Sequence, residues 1–202
     1  MIRYLLILCL LIFGCVSKLK TVQVNIDGLV STNLATTGEH SEELPETWSD
    51  NENERVWNVY ISIVAQGKIA IPLLIENLNR KEFSTYVDSS VPYAPVTVGY
   101  MCKMAVSEMF GSIGFGYKSR NNAKGETLMG HSYFSVMFDT QLHANQWWKK
   151  NQNKTLTEIR ILIRDWHIER ETQFGFNNDE EKNHILKLIN LSFQEANETK
   201  SK

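Results

Sequence analysis

Apolar residues between positions 48 and 110 recur at the spacing of amphipathic helices. Ser49 or Asp50 can cap a first helix, and Gly67 is a natural stop for it. A second helix is predicted around Pro72, because proline suits a first turn, where its missing N–H costs nothing. A third is predicted from Val96 to Phe110. The supporting apolar positions are Val56, Trp57, Tyr60, Ile61, Val64, Leu74, Ile75, Val98, Met101, Cys102, Ala105, Val106 and Met109.

Three more helices are predicted in the last third of the chain. The second of them begins with Thr155 and Glu158, a capping-box pair in which hydroxyl and carboxylate satisfy free N–H groups. The last begins before Asp179, Glu180 and Glu181, since the helix dipole favours acidic residues in a first turn. The expected caps are Asp139 or Thr140, Thr155, and Asn177 or Asn178. The apolar positions are Leu156, Ile159, Leu162, Ile163, Trp166, Ile185, Leu186, Leu188, Ile189 and Phe193.

The helical pattern is interrupted from 111 to 138. Gly111, Gly114 and Gly116 lie close together at its start, and the segment from Tyr133 to Phe138 is β-prone. This stretch therefore predicts either a long loop or a small hairpin. A phosphate-binding loop is not expected, because the glycines follow a helix and lack the spacing of such loops.

Residues 15–48 are rich in Ser, Thr, Asn and Glu, and no helical period runs through them. Val22, Val24 and Ile26 alternate with polar residues, which allows a short strand. The simpler interpretation is a flexible tether. The pattern that follows predicts a helical domain over 49–197 and a disordered tail over 198–202.

The N-terminal residues have the parts of a secretion signal. A positive charge at Arg3 precedes an apolar run from Tyr4 to Phe13 that is too short to span a bilayer. The segment Leu11-Ile12-Phe13-Gly14-Cys15 resembles the lipobox of bacterial lipoproteins. The resemblance implies that residues 1–14 are a removed signal peptide and that Cys15 carries acyl chains, palmitate among them, which anchor the chain to a membrane. The alternatives are an ordinary signal peptide or an N-terminal anchor helix.

The helical region carries a second resemblance. Gly67, followed by the run from Ala70 to Leu78 with Pro72 inside it, resembles the second helix of a HEAT-type repeat. The segment around Trp147 resembles the tryptophan-rich end of small bacterial HEAT-like proteins. The resemblance covers 55–150 with one repeat hallmark, whereas a solenoid needs about three units. It implies a mainly α fold: an irregular HEAT-like or armadillo-like helical domain with a long glycine-containing loop or small hairpin.

Charge and cysteine usage narrow the classes of function. The formal net charge is −2 and the basic residues are dispersed, so we expect no nucleic-acid partner. Of the three cysteines, Cys9 leaves with the predicted signal and Cys15 is lipidated. Cys102 then has no intramolecular partner for a disulfide, and its apolar neighbours predict a buried side chain.

No residue pattern predicts a catalytic or metal site. The histidines lack the spacing of a zinc-protease motif, and Asp165 and His167, two apart on a helix, do not face each other. We therefore expect no enzyme activity, no cofactor and no bound metal. The residues expected to contact a partner share the aromatic and basic character of binding surfaces, and they are Phe115, Tyr117, Lys118, Arg120 and Trp148.

These expectations combine into one hypothesis with two alternatives. We expect a membrane-anchored, non-enzymatic lipoprotein that binds an envelope or secreted protein, on the outer membrane facing the periplasm. A specific form is an immunity protein against a toxin delivered by a neighbouring cell. The alternatives are an envelope hydrolase whose residues meet only in the fold, and a structural envelope lipoprotein. A pocket that gathers His131 or His143 with carboxylates would favour the hydrolase, and exposed aromatic residues would favour binding.

Overall fold

The computed structural model describes residues 23, 25–31, 50–87, 94–111, 119–129 and 132–198. Its internal contacts divide the chain into two units, Met1–Ala105 and Val106–Lys202. Helices dominate the described residues and the strands are few and short, so the prediction of a mainly helical fold is confirmed. The predicted signal peptide, Cys15 and most of the predicted tether lie outside the described residues.

The first unit begins with a bent helical pair. Gly67 adopts φ +62° directly after the first helix, and Pro72 lies in the first turn of the second, so both sequence signals act as predicted. An antiparallel strand pair and a third helix follow. The elements are α1 (Asp50–Ala65), a 3-10 helix (Gly67–Ala70), α2 (Ile71–Glu76), β1 (Phe83–Val87), β2 (Ala94–Thr97) and α3 (Val98–Met109), which continues into the second unit.

The sequence predicts no strand in the stretch that forms β1 and β2. Two polar side chains of β1 are buried and bind partners distant in the chain. Ser84 Oγ donates to the Leu29 carbonyl at 2.7 Å, and Thr85 Oγ1 donates to Asn53 Oδ1 at 2.8 Å. Because tertiary contacts satisfy these hydroxyls, the local pattern alone does not reveal the strand.

Residues 25–31 pack within the first unit. The described positions 23 and 25–27 are helical, and Ile26 and Leu29, three residues apart, are fully buried. Arg55 donates to the Gly28 carbonyl at 2.7 Å and to the Val30 carbonyl at 2.8 Å. Ile26 is helical and its burial follows a helical spacing with Leu29, so the possible strand does not form at this residue.

Most of the predicted apolar positions of the first unit form its core. Ile61 is an exception, with 59% of its surface exposed, while its neighbour Ile63 is fully buried. Cys102 is buried, as predicted. In the described part of the chain, no single helix is long and apolar enough to span a membrane. The helices 51–65 and 67–76 reach the required length and apolar content only when they are counted together, and the chain bends by 109° between them. The largest core residues are Ile26, Leu29, Val56, Tyr60, Ile63, Ile71, Leu74, Ile75 and Met101.

The second unit contains a small hairpin and four helices among its described residues. The hairpin confirms one of the two alternatives predicted for 111–138, over part of that stretch. Thr140 caps one helix, and Thr155 with Glu158 forms the predicted capping box of the next. Before the last, Asn178 Oδ1 accepts from Glu181 N at 2.8 Å. The elements are β3 (Arg120–Asn121), β4 (Thr127–Leu128), α4 (Tyr133–Met137), α5 (Gln141–Asn151), α6 (Leu156–Phe174) and α7 (Asp179–Glu198).

The β-prone prediction for the segment from Tyr133 to Phe138 is wrong, because this segment forms helix α4. Ser132 caps the helix by accepting a hydrogen bond from Ser135 N at 3.1 Å. Aromatic packing then outweighs β propensity: the Phe134 and Phe138 rings lie 5.2 Å apart, and both contact Trp147. α4 packs against both α5 and α6, and α6 packs along α7.

Candidate functional site

A groove lies between α5 and α6 in the second unit, with α4 contributing to its floor. Its volume is about 990 Å³. We call it the α5–α6 groove. Its floor is aromatic and aliphatic, whereas its two walls carry charged side chains. The floor residues are Tyr133, Val136, Trp147, Ile161, Leu162 and Trp166, and the charged ones are Asp139, His143, Lys150, Lys154, Glu158, Asp165 and Glu169.

Three aromatic rings organise the floor. Trp147 Nε1 donates to Tyr133 Oη at 2.6 Å, and the Tyr133 ring packs edge-on against Trp166 at 5.3 Å. Burial raises the pKa of the Tyr133 phenol to about 12, although the hydrogen bond from Trp147 opposes the shift. The phenol therefore stays neutral at physiological pH, and the polar groups of the two rings satisfy each other.

Apolar side chains on the floor remain open to solvent. Val136 is 41% exposed and Ile161 is 36% exposed. Tyr133 and Trp147 beside them are nearly buried. Transfer of such apolar surface out of water is favourable, by about 25 cal/mol per Å². The floor therefore offers binding energy to a ligand that covers it.

The walls of the groove differ in charge. Lys150 and Lys154 lie on α5 and the turn after it, whereas Glu158, Asp165 and Glu169 lie along α6. Each of the three carboxylates also takes part in a local hydrogen bond, with Thr155, Arg164 and Gln173 respectively. The α5 side thus carries both signs, with Lys150 and Lys154 at one end and Asp139 at the other, whereas the α6 side carries carboxylates only.

One pair of side chains in the groove, a histidine beside an aspartate, is of the kind that acts as a general base. His143 Nδ1 lies 2.6 Å from Asp139 Oδ1, four residues earlier in the chain. Both side chains are about half exposed, at 54% and 50%. The described residues that line the groove include no serine, threonine or cysteine as a nucleophile beside this pair. In the described part of the chain, no three His, Cys, Asp or Glu side chains gather as metal ligands.

The predicted partner-binding residues fall in different surroundings. Phe115, Tyr117 and Lys118 lie outside the described residues. Arg120 is engaged within the unit: its Nε donates to Glu171 Oε2 at 2.7 Å and its Nη2 to the Gly175 carbonyl at 2.8 Å. Trp148 is half-buried and stacks on buried Trp147, with ring centroids 6.4 Å apart.

The groove floor was missed by reasoning from sequence. Tyr133 lies in the segment predicted as β-prone, and His143 is named from the sequence as a possible hydrolase residue but not as part of a partner-binding surface. Ile161 is apolar, but its helical neighbours Glu158, Arg164 and Asp165 are charged, so the sequence shows no second apolar face on α6.

Comparison with protein-family models, curated proteins and solved structures gives no match to this chain.

Proposed function

We propose that this chain is a lipid-anchored, non-enzymatic protein-binding module of the cell envelope, with a helical domain of HEAT-like ancestry. The observation that carries the binding function is the α5–α6 groove, in which exposed Val136 and Ile161 lie over an aromatic floor. Buried aromatic residues surrounded by polar rims are typical of protein interfaces.

The anchoring part of the proposal depends on the sequence around Cys15. The lipobox-like segment from Leu11 to Cys15 supports acylation of the thiol, and the apolar run before it supports export. More than one acyl chain gives stable membrane attachment, whereas a single chain is marginal. In the lipoproteins that this segment resembles, aspartate after the acylated cysteine implies retention in the inner membrane. Val16 and Ser17 follow Cys15 here, so the resemblance implies the outer membrane, facing the periplasm.

An immunity protein is the specific form that we propose. A protein anchored at the envelope can neutralise an incoming toxin by occupying the toxin's surface. The α5–α6 groove supplies an apolar surface and charges of both signs for such a complex. Charged rims of this kind favour fast and selective association.

A capture experiment tests the binding function. The full chain is used as bait against envelope extract, beside the variants Ile161→Asp and Leu142→Asp. Both replaced residues are exposed and apolar, but only Ile161 lies in the groove. We expect Ile161→Asp to lose the captured protein and Leu142→Asp to retain it. Equal capture by both variants would overturn the groove as the binding site.

A fractionation experiment tests the anchor separately. Cys15→Ala should move the chain from the membrane to the soluble fraction, because acyl chains can no longer be attached. Cys9→Ala is the matched control, since this cysteine precedes the lipobox-like segment and leaves with the signal. Unchanged membrane association of Cys15→Ala would remove the lipoprotein proposal and leave the groove untouched.

The pair of Asp139 and His143 supports a second candidate function, an envelope hydrolase. A carboxylate 2.6 Å from an imidazole can orient it as a general base toward water. A panel of peptide, ester and glycoside substrates would then show turnover that His143→Ala abolishes and His184→Ala, on α7, retains. Absence of turnover, together with partner capture that depends on Ile161, would reject the hydrolase.

A further inference from the structure

The α5–α6 groove has the length of a short helix. Its acidic wall extends from Glu158 to Glu169 along α6, which is about three helical turns, or roughly 16 Å at 1.5 Å per residue. The floor presents two aliphatic side chains to solvent, Val136 and Ile161, and also includes Trp147 and Trp166. One face of a helix, with apolar residues at i, i+3 or i+4, and i+7, matches such a floor.

The two walls define what the edges of that helix must carry. Lys150 and Lys154 attract acidic residues at their end of the α5 side, where Asp139 lies at the opposite end. The α6 side attracts a basic edge mainly through Glu169, because Asp165 is already paired with Arg164 at 2.7 Å. A uniformly basic or uniformly acidic ligand would meet like charge on one wall. Juxtaposed like charges disfavour a complex, so the walls select a ligand with opposite charges on its two edges.

We infer that the α5–α6 groove binds one amphipathic α-helix of a partner protein, with its apolar face on the floor, basic residues toward α6 and acidic residues toward Lys150 and Lys154. This inference rests on the proposed protein-binding function. Reversal of the helix direction exchanges its two edges, so an amphipathic helix with both charges can match the walls in one of its two directions.

Other ligand classes fit the groove less well. The described lining residues belong to α4, α5, α6 and the turns beside them, so the groove presents no strand edge for an added β-strand. A small-molecule pocket encloses most of its ligand and directs several polar groups inward. Here two of the polar groups that line the groove, Trp147 Nε1 and Tyr133 Oη, bind each other instead.

Three designed peptides test the inference. Each has about 14 residues, roughly four turns, and the same leucine face. The first carries Lys along one edge and Glu along the other, the second Lys on both edges, and the third Glu on both. Fluorescence anisotropy measures their binding to the full chain held in zwitterionic bilayer nanodiscs, with empty nanodiscs as the blank. We expect the mixed-charge peptide to bind at least about tenfold more tightly than either of the others.

Variants of the walls and floor make the test specific. Lys150→Glu combined with Lys154→Glu turns both walls acidic, so the preferred ligand should become the all-Lys peptide. Ile161→Asp should weaken all three peptides about tenfold or more, and exposed Leu142→Asp should leave them unchanged. Circular dichroism verifies that each variant is folded.

The outcomes separate this inference from the proposed function. Equal binding of the three peptides, or a preference that Lys150→Glu with Lys154→Glu does not change, would overturn the helix inference. If the captured envelope protein still depends on Ile161 in that case, the binding function stands and only the ligand class is wrong. If capture is independent of Ile161, the groove is not the binding site, and both the helix inference and the proposed role of the groove are rejected.

Discussion

Arg120 Nε donates to Glu171 Oε2 across 2.7 Å and joins the hairpin strand β3 to helix α6 within the second unit. The two side chains are only 14% and 5% exposed. The same guanidinium donates to the Gly175 carbonyl at 2.8 Å and lies 4.8 Å from the centre of the Phe174 ring. Arg120 also lies 3.7 Å from Glu181 Oε1. Because the pair with Glu171 is shielded from water, loss of Arg120 leaves Glu171 as an uncompensated charge.

Replacement of Arg120 by methionine should therefore lower the free energy of unfolding by about 3–5 kcal/mol. Urea unfolding followed by circular dichroism measures the change. The double variant Arg120→Met with Glu171→Leu should recover most of the loss, because it removes both charges. Arg164→Met is the control and should cost at most about 1 kcal/mol, since its pair with Asp165 is exposed. Additive losses in the double variant would contradict the coupling.

Local sequence signals predicted the helices of this chain well, because caps and apolar periodicity act within one element. Thr140, Thr155 and Gly67 each mark a helix boundary through a side-chain cap or a positive φ. The failures occur where distant residues decide the structure. Ser84 and Ile26 are buried by partners from other parts of the chain, so β1 and the packed segment 25–31 were not predicted.

The groove could not be assembled from the sequence for a related reason. Its floor requires Tyr133, Trp147 and Trp166 to meet from three helices, and only the fold brings them together. The adjacent tryptophans differ in burial, since Trp147 is buried and Trp148 is half-buried. Only the fold brings the carboxylates of α6 and the lysines Lys150 and Lys154 to the same groove.

Gly99 lies in the first turn of α3, where alanine normally improves a helix by up to about 1 kcal/mol. A Cβ at this position would meet the Leu78 carbonyl oxygen at 2.2 Å and the Arg80 carbonyl oxygen at 2.9 Å. Both contacts are with backbone, which cannot move aside cheaply. Gly99→Ala should therefore destabilise the chain by about 1–3 kcal/mol in thermal or urea unfolding. Ser107→Ala, in the same helix, is the control and should change stability little. A stabilising Gly99→Ala would show that the backbone approach is looser than described.

The Cys102 thiol should be unreactive in the folded protein. Burial raises its pKa to about 12, so at pH 8 the thiolate, which is the reactive form, is about a thousandfold scarcer than at the ordinary value of 9. In a background with Cys9→Ser and Cys15→Ser, iodoacetamide should label Cys102 only after unfolding in urea. Glu108→Cys, exposed on the same helix, should react readily in the folded state. Rapid labelling of folded Cys102 would contradict its burial.

The neutral phenol of Tyr133 makes stability depend on pH at the alkaline end. Its pKa is about 12 in the folded chain, because of burial, and about 10 when unfolded. Below pH 10 both states hold the proton; between pH 10 and 12 only the unfolded state releases it, so stability falls as pH rises. The loss should be on the order of 2–3 kcal/mol.

Tyr133→Phe isolates this effect. At pH 8 the variant should be about 1–3 kcal/mol less stable, because buried Trp147 Nε1 loses its acceptor. From pH 10 to 12 the wild-type advantage over the variant should then shrink, since only the wild type carries the phenol whose proton the unfolded chain releases. Urea unfolding at pH 8 to 12 measures both curves, and the difference cancels groups that titrate in both proteins. Exposed Tyr100→Phe serves as the control. A wild-type advantage that stays constant from pH 8 to 12 would mean that Tyr133 is open to water and that the groove floor is wetter than its packing indicates.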